Sequence, residues 1–310
     1  METGMLRRPL AAIGLSLITI SSAFAQVPPD IAAGIRKIGP IVDQPNTARL
    51  YAPLFKDQKE PYAGVTVTRD VAYGPDALNK LDVFTSGPSQ PGKTVVVFVH
   101  GGGFEHGDKH PGGGPFLDNV MLWATKQGWV GVNINYRLAP KNHWPDAHQD
   151  IAAAVRWTRA NIAQYGGDPN RIVLWGTSAG ASLISGFLAH PEFYGPDGHG
   201  VKAAILTSGF YVNPTEVSAY FGSDSRELQE RSSLEGMKHL TIPLLISSAE
   251  VDVPEAIAQA ENAKKALCSV GKCPTYLEIK DHSHVSQIFS VGTADASLSG
   301  PVLQFIRAIK

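Results

Sequence analysis

The sequence predicts an α/β protein, a mostly parallel sheet covered by helices on both faces. Three observations predict it. From Val65 onward, strand-like runs alternate with helix-like ones to the end of the chain, the pattern left by successive βαβ units. Thr94 to Val99 reads Thr-Val-Val-Val-Phe-Val, a near-continuous β-branched run of the kind that fills a strand buried on both faces. Glycine-rich turns follow directly on that strand and on the strand ending at Trp175, at the carboxyl ends where open α/β sheets carry their sites.

The elements follow in order. Arg7 and Arg8, the apolar run from Leu10 to Ile20, and Ala23-Phe24-Ala25 have the three-part layout of a secretory signal peptide. Cleavage is expected before Gln26, with export to the periplasm or beyond. The apolar run is too short to span a bilayer comfortably, so no membrane contact is expected once it is removed. Residues 26–64 carry many Pro and Ala with little periodicity and read as a leader wrapping the domain that occupies 65–310.

Val65 to Val71 and Leu81 to Phe84 read as an opening pair of strands, followed by Thr94 to Val99 and Trp129 to Asn135. Ala147 to Tyr165 has helical spacing through Ile151, Val155 and Ile162 and stops at Gly166-Gly167. Arg171 to Trp175 is a strand, Ala179 to Ala189 a helix and Lys202 to Thr207 a strand. Ile242 to Ser247 and Tyr276 to Ile279 repeat the pattern around the helix Glu255 to Leu267, and a last helix runs through Val302 to Ala308. Residues 212–239 are polar and mixed, and form either a small cap or a surface excursion. Cys268 and Cys273 flank Gly271; in an oxidising compartment they are expected to form a local disulfide that serves as scaffolding.

Composition excludes some partners. The 310 residues are 43% hydrophobic and 18% charged, with 27 basic against 28 acidic side chains and a formal net charge of -1. Without a run of like charge there is no electrostatic reason to expect nucleic acid. The expected partners are a small-molecule substrate and, at most, a second copy of the chain.

The strongest chemical signal is Gly176-Thr177-Ser178-Ala179-Gly180, between a strand and a helix. A nucleophile on such a sharp turn needs small neighbours, because its backbone is strained and other segments approach closely. His100-Gly101-Gly102-Gly103-Phe104 follows the buried strand. Its glycines let backbone amides face a substrate oxygen, so Gly102, Gly103 and Ala179 are assigned as donors to a developing oxyanion. His100 is expected to pin the loop by hydrogen bonds.

A serine hydroxyl needs a base, and the base an orienting carboxylate. In this topology both follow the serine, acid first. Asp252, just past the strand Pro243 to Ser248, is assigned as the acid, with Glu250 as the alternative. Within Asp281-His282-Ser283-His284 the base is assigned to His284, with His282 as the alternative. No cofactor is called for. His106, Asp108 and His110 are loop residues with no matching second cluster, so no metal is expected. Trp144, Phe104 and Phe210 are either pocket lining or core.

Together with Asn135-Tyr136-Arg137-Leu138-Ala139-Pro140 and Tyr165-Gly166-Gly167-Asp168-Pro169, these motifs resemble the α/β-hydrolase carboxylesterases, in particular the hormone-sensitive-lipase-like branch and related bacterial esterases. The resemblance covers residues 65 to 310. It implies ester hydrolysis through an acyl-enzyme on Ser178, with small to medium esters as substrates. One departure stands out: that branch has Asp-Pro-Leu after the acid strand, whereas Asp252 is followed by Val253-Pro254. Residues 212–239 are also short for a lipase lid, which points away from long-chain triglycerides. Two other readings use the same fold, a serine peptidase or amidase and a non-catalytic binder.

Overall fold

The computed structural model describes residues 26–56, 60–87, 90–112, 115–213 and 218–310; the signal-peptide segment lies outside these residues. Eight strands form one sheet among the described residues: β1 (Val65–Ala72), β2 (Lys80–Ser86), β3 (Lys93–Val99), β4 (Val130–Ile134), β5 (Gly167–Thr177), β6 (Ala203–Thr207), β7 (Leu244–Val251) and β8 (Thr275–Ser283). Their order is β1-β2-β4-β3-β5-β6-β7-β8. The β1–β2 and β2–β4 pairs are antiparallel and every later pair is parallel.

The period of two along each central strand divides the core. Val95, Val97, Val99, Leu174, Leu206 and Ile246 face one side, beneath α4 (Asp146–Asn161), α5 (Ala179–Ala189) and α8 (Pro254–Ser269). Val96, Phe98, Val173, Trp175, Ile205 and Leu245 face the other, beneath α3 (Asp118–Lys126) and α10 (Ser299–Ala308). A strand with both faces covered has no place for a polar alternation, which is why β3 reads as an unbroken apolar run. At the sheet's edge, β1 alternates half-buried and exposed residues along its whole length.

The described residues of 26–64 are more regular than their composition suggests. They form α1 (Pro29–Ile38) and α2 (Gln44–Lys56). Ile31, Ala32 and Ile35 make a one-sided apolar stripe on α1, and all three are buried. A ten-residue helix gives too few repeats of that stripe to stand out among prolines, and α2 carries Pro53 inside it. Both helices pack onto the second face of the sheet, where Tyr51 and Phe55 join Trp123 and Phe289 in one apolar cluster.

In the polar stretch 212–239, the described part holds two short helices, α6 (Ser225–Glu230) and α7 (Leu234–Met237). Tyr220, Phe221, Leu228, Leu234 and Met237 anchor it in the core on the α4–α5 side. Cys268 and Cys273 are joined by a disulfide across the turn at Gly271, whose φ is 73°.

Candidate active site

The site assembles where β3, β5, β6 and β7 end. Ser178 directly follows β5 with φ 53° and ψ -125°, a conformation costly for a residue bearing a Cβ. The strain is held in place from two sides. Its amide donates to Thr207 O on the next strand at 2.8 Å, and its carbonyl accepts from Ser182 N at 3.1 Å. Glycine is required next door, since a Cβ on Gly180 would stand 2.1 Å from Val99 O. β3 and α5 therefore touch backbone to backbone beneath Ser178.

The loop after β3 passes across this turn. A Cβ on Gly101 would lie 3.0 Å from Ser178 Cβ. Gly102 has φ 123°, and a Cβ there would fall 2.0 Å from His106 O, so no other residue fits. Its carbonyl closes the turn by accepting from Glu105 N at 3.2 Å and His106 N at 2.9 Å. Ala179 opens α5, so its amide has no partner within the helix and lies at the positive end of the dipole. His100 is buried, stacks on Tyr136 with ring centroids 4.5 Å apart and holds Gly101 O at 2.7 Å through Nδ1. Burial pushes its pKa down, which keeps the ring neutral and the loop pinned.

Asp252 and His284 meet beside Ser178. His284 Nδ1 lies 2.6 Å from Asp252 Oδ1, and both side chains are buried. Asp252 Oδ1 also accepts from Val253 N at 2.8 Å, while Oδ2 accepts from Ser208 Oγ and Ala249 N. With both carboxylate oxygens engaged, the carboxylate fixes the imidazole through Nδ1 and leaves Nε2 on the far side of the ring. Among the described residues Nε2 finds no hydrogen-bond partner, and His284 shares a pocket wall with Ser178, Gly101, Gly102 and Gly103.

The alternatives go elsewhere. Glu250 is exposed and accepts from Asp281 N at 2.9 Å, clamping the ends of β7 and β8. His282 is fully buried with Nε2 3.2 Å from Asp295 Oδ2. His110 Nδ1 lies 3.0 Å from Asp118 Oδ2, and Asp108 accepts from Asn135 Nδ2 at 2.8 Å, so these loop residues serve as braces. Arg137 pairs with Asp150 at 2.8 Å below the loop.

The pocket measures about 700 Å³. One wall is apolar, from Phe116, Leu117, Val285, Ile288 and Phe289, with Phe210 and Val253 nearby. Val42, from the turn between α1 and α2, and Gln44 and Pro45, which open α2, complete the rim. None of the described residues of 212–239 reaches it. Phe104 and Trp144 sit in the aromatic cluster around Tyr220, Phe221 and His148 instead.

Sequence reasoning missed Ser208, Gln287 and Lys109. Gln287 Nε2 donates to Ser208 Oγ at 2.6 Å, and Lys109 Nζ bridges Asp70 and Asp82 at 2.8 and 2.9 Å behind the glycine loop. The only signal for Ser208 is its place directly after β6, at the carboxyl end of the strand beside the one that leads to Ser178.

A family model described as BD-FAE matches residues 81–192, a span that holds the glycine loop and Ser178 and ends before Asp252 and His284. Esterase LipQ of Mycobacterium tuberculosis is 38% identical over 184 residues, 57% of this chain and 39% of LipQ. Kynurenine formamidase of Danio rerio is 27% identical over 259 residues, 80% of this chain and 85% of that enzyme. A solved hyperthermophilic esterase from the archaeon Pyrobaculum calidifontis aligns with a TM-score of 0.63 at 20% identity, over 92% of this chain and 98% of that one. The chain spans about two fifths or less of the mycobacterial esterases that it matches.

Proposed function

We propose that this chain, which has the fold of the α/β-hydrolase esterases, is a serine carboxylesterase cleaving small to medium carboxylic esters. The observation that carries the reading is the 2.6 Å contact between His284 Nδ1 and Asp252 Oδ1, beside a pocket wall shared by His284 and Ser178.

In this reading His284 Nε2 takes the Ser178 Oγ proton as the oxygen attacks the ester carbonyl. The carbonyl oxygen gathers negative charge, which the amides of Gly102, Gly103 and Ala179 receive. As the tetrahedral species collapses, the C–O bond to the alcohol breaks and the leaving oxygen collects the proton from His284. Water then attacks the acyl-Ser178 carbonyl with His284 again as base, releasing the acid and restoring the hydroxyl. Asp252 keeps its charge throughout and stabilises the transient imidazolium. The partner is a small-molecule ester.

A panel of p-nitrophenyl esters of rising chain length, run beside an aminoacyl anilide and an N-formyl arylamine, tests this. Esters should turn over fastest, with short and medium chains ahead of long ones. A second reading, amide cleavage by the same residues, is favoured by the kynurenine formamidase match, which covers most of both chains. It gains if the formyl amide outruns every ester. Export belongs to the proposal as well: when the full chain is expressed in a secreting host, the mature protein should begin at Gln26. An intact Met1 on the active protein would contradict it.

A further inference from the structure

The site described so far leaves one buried histidine–carboxylate pair unused. His282 and Asp295 are both fully buried, with Nε2 3.2 Å from Oδ2. The pair is closed at both ends. Asp295 Oδ2 accepts from the Tyr51 hydroxyl at 3.1 Å, and Oδ1 accepts from Ser297 N at 3.1 Å and Ser297 Oγ at 2.7 Å. At the other end, His282 Nδ1 lies 3.0 Å from Ser286 Oγ, and that oxygen accepts from Ser283 N at 2.8 Å. The Ser283–Ser286 bond ties the two ends of the short turn on which His284 sits. Burial works against the Asp295 carboxylate, yet His282 and Ser297 hold its pKa below the usual value. Asp295 therefore stays charged beside His282 Nε2, and Nδ1 on the far side of the ring meets the Ser286 hydroxyl.

We infer that His282 and Asp295, with Tyr51 of α2 behind them and Ser286 in front, form a positioning device for His284. It holds the turn that aims the imidazole at Ser178. The inference rests on the reading of His284 as base. Two physical arguments support it. A buried carboxylate held by polar partners is a poor source of stability compared with apolar residues of the same volume, and the best-attested use of such a cluster is to specify one arrangement. A catalytic group also works only within a few tenths of an ångström of its productive position, which its supporting residues must enforce. His282 does not line the pocket, so the device acts through geometry alone. It also joins α2 to the base. The Arg36–Asp281 ion pair adds a second tie, from α1 to the residue before His282.

The test compares Asp295→Asn, Ser286→Ala and the Asp295→Asn/Ser286→Ala double variant with wild type. Active sites are counted by stoichiometric phosphonylation, and kcat and KM are measured on p-nitrophenyl butyrate. Each single variant should lose about tenfold or more in kcat per titrated site with KM within about twofold, as expected when a base is mis-aimed and binding is intact. The double variant should be no worse than the poorer single one, since both cut one chain of contacts. Tyr51→Phe keeps the ring and loses one bond, so it gives a milder kcat loss even if Asp295→Asn fails to fold. Unchanged kcat per site in Ser286→Ala and Tyr51→Phe, or losses that multiply in the double variant, would overturn the inference while leaving the proposed function standing. A wild-type chain that turns over no ester would overturn both.

Discussion

Ser208 donates its hydroxyl to Asp252 Oδ2, on the carboxylate oxygen opposite the one that holds His284. Ser208 follows β6 with φ 49°, and its amide donates to Ser247 O on β7 at 2.8 Å. The strand that neighbours the acid therefore aims it. A hydrogen bond to a charged group contributes about 1.5–3 kcal/mol. Ser208→Ala should lower kcat about tenfold with KM little changed, and lower the melting temperature by a few degrees. Steady-state kinetics and a thermal melt check both.

Asp252→Asn tests the orientation argument more severely. An amide presents the wrong atom to His284 and favours the wrong tautomer, so kcat should fall about 10⁴-fold while the fold persists. Glu250→Gln should leave kcat within about twofold, because its carboxylate is exposed, accepts from the Asp281 amide and does not line the pocket. Kinetics of the two variants side by side decide between the carboxylates.

The glycine loop makes a steric prediction. Gly102→Ala places a Cβ 2.0 Å from the His106 carbonyl at a φ of 123°, and the loop must move away from Ser178. Removing a single oxyanion donor costs about 10²–10³ in kcat, and displacing the loop should cost at least as much. Ester turnover by the folded variant measures it.

Stability should depend on His148. Burial holds its pKa well below the ordinary value, with His190 adding to the effect, and Nδ1 contacts the Tyr220 hydroxyl at 2.8 Å. In the unfolded chain it binds a proton below about pH 6.5, while in the folded chain it stays neutral. The unfolded state therefore holds more protons as pH drops. Stability is full above pH ~6.5 and falls below it by about 1.4 kcal/mol per pH unit until the folded pKa is reached. Melts between pH 7.5 and 5.5 should show the decline, and His148→Gln should flatten it. An equal slope in the variant would count against the assignment.

Much of this architecture is legible in the sequence because the relevant signals are local. The β-branched run of β3 and the strand–glycine–helix junction at Ser178 can each be read within a dozen residues. The α1–α2 pair is obscured by its prolines and short length, and its contacts with the rest of the protein are distant in sequence. Tyr51 meets Asp295, and Ser208 meets both Asp252 and Gln287. No local pattern encodes such pairings. The two histidines illustrate the limit. His282 and His284 stand two residues apart and are both buried; the three-dimensional fold gives one to Asp295 and the other to Asp252. Residues 212–239 carry a polar composition that hides Tyr220 and Phe221, whose burial beside Trp144 draws the described part of the segment away from the pocket.

The most direct test is covalent trapping. The protein is incubated with a p-nitrophenyl phosphonate, and the adduct is located by peptide mass spectrometry in wild type, Ser178→Ala and His284→Ala. One label per chain is predicted on Ser178, absent in Ser178→Ala and formed far more slowly in His284→Ala, with ester turnover falling in parallel. A label on another residue, or ester hydrolysis that persists in Ser178→Ala, would contradict the account.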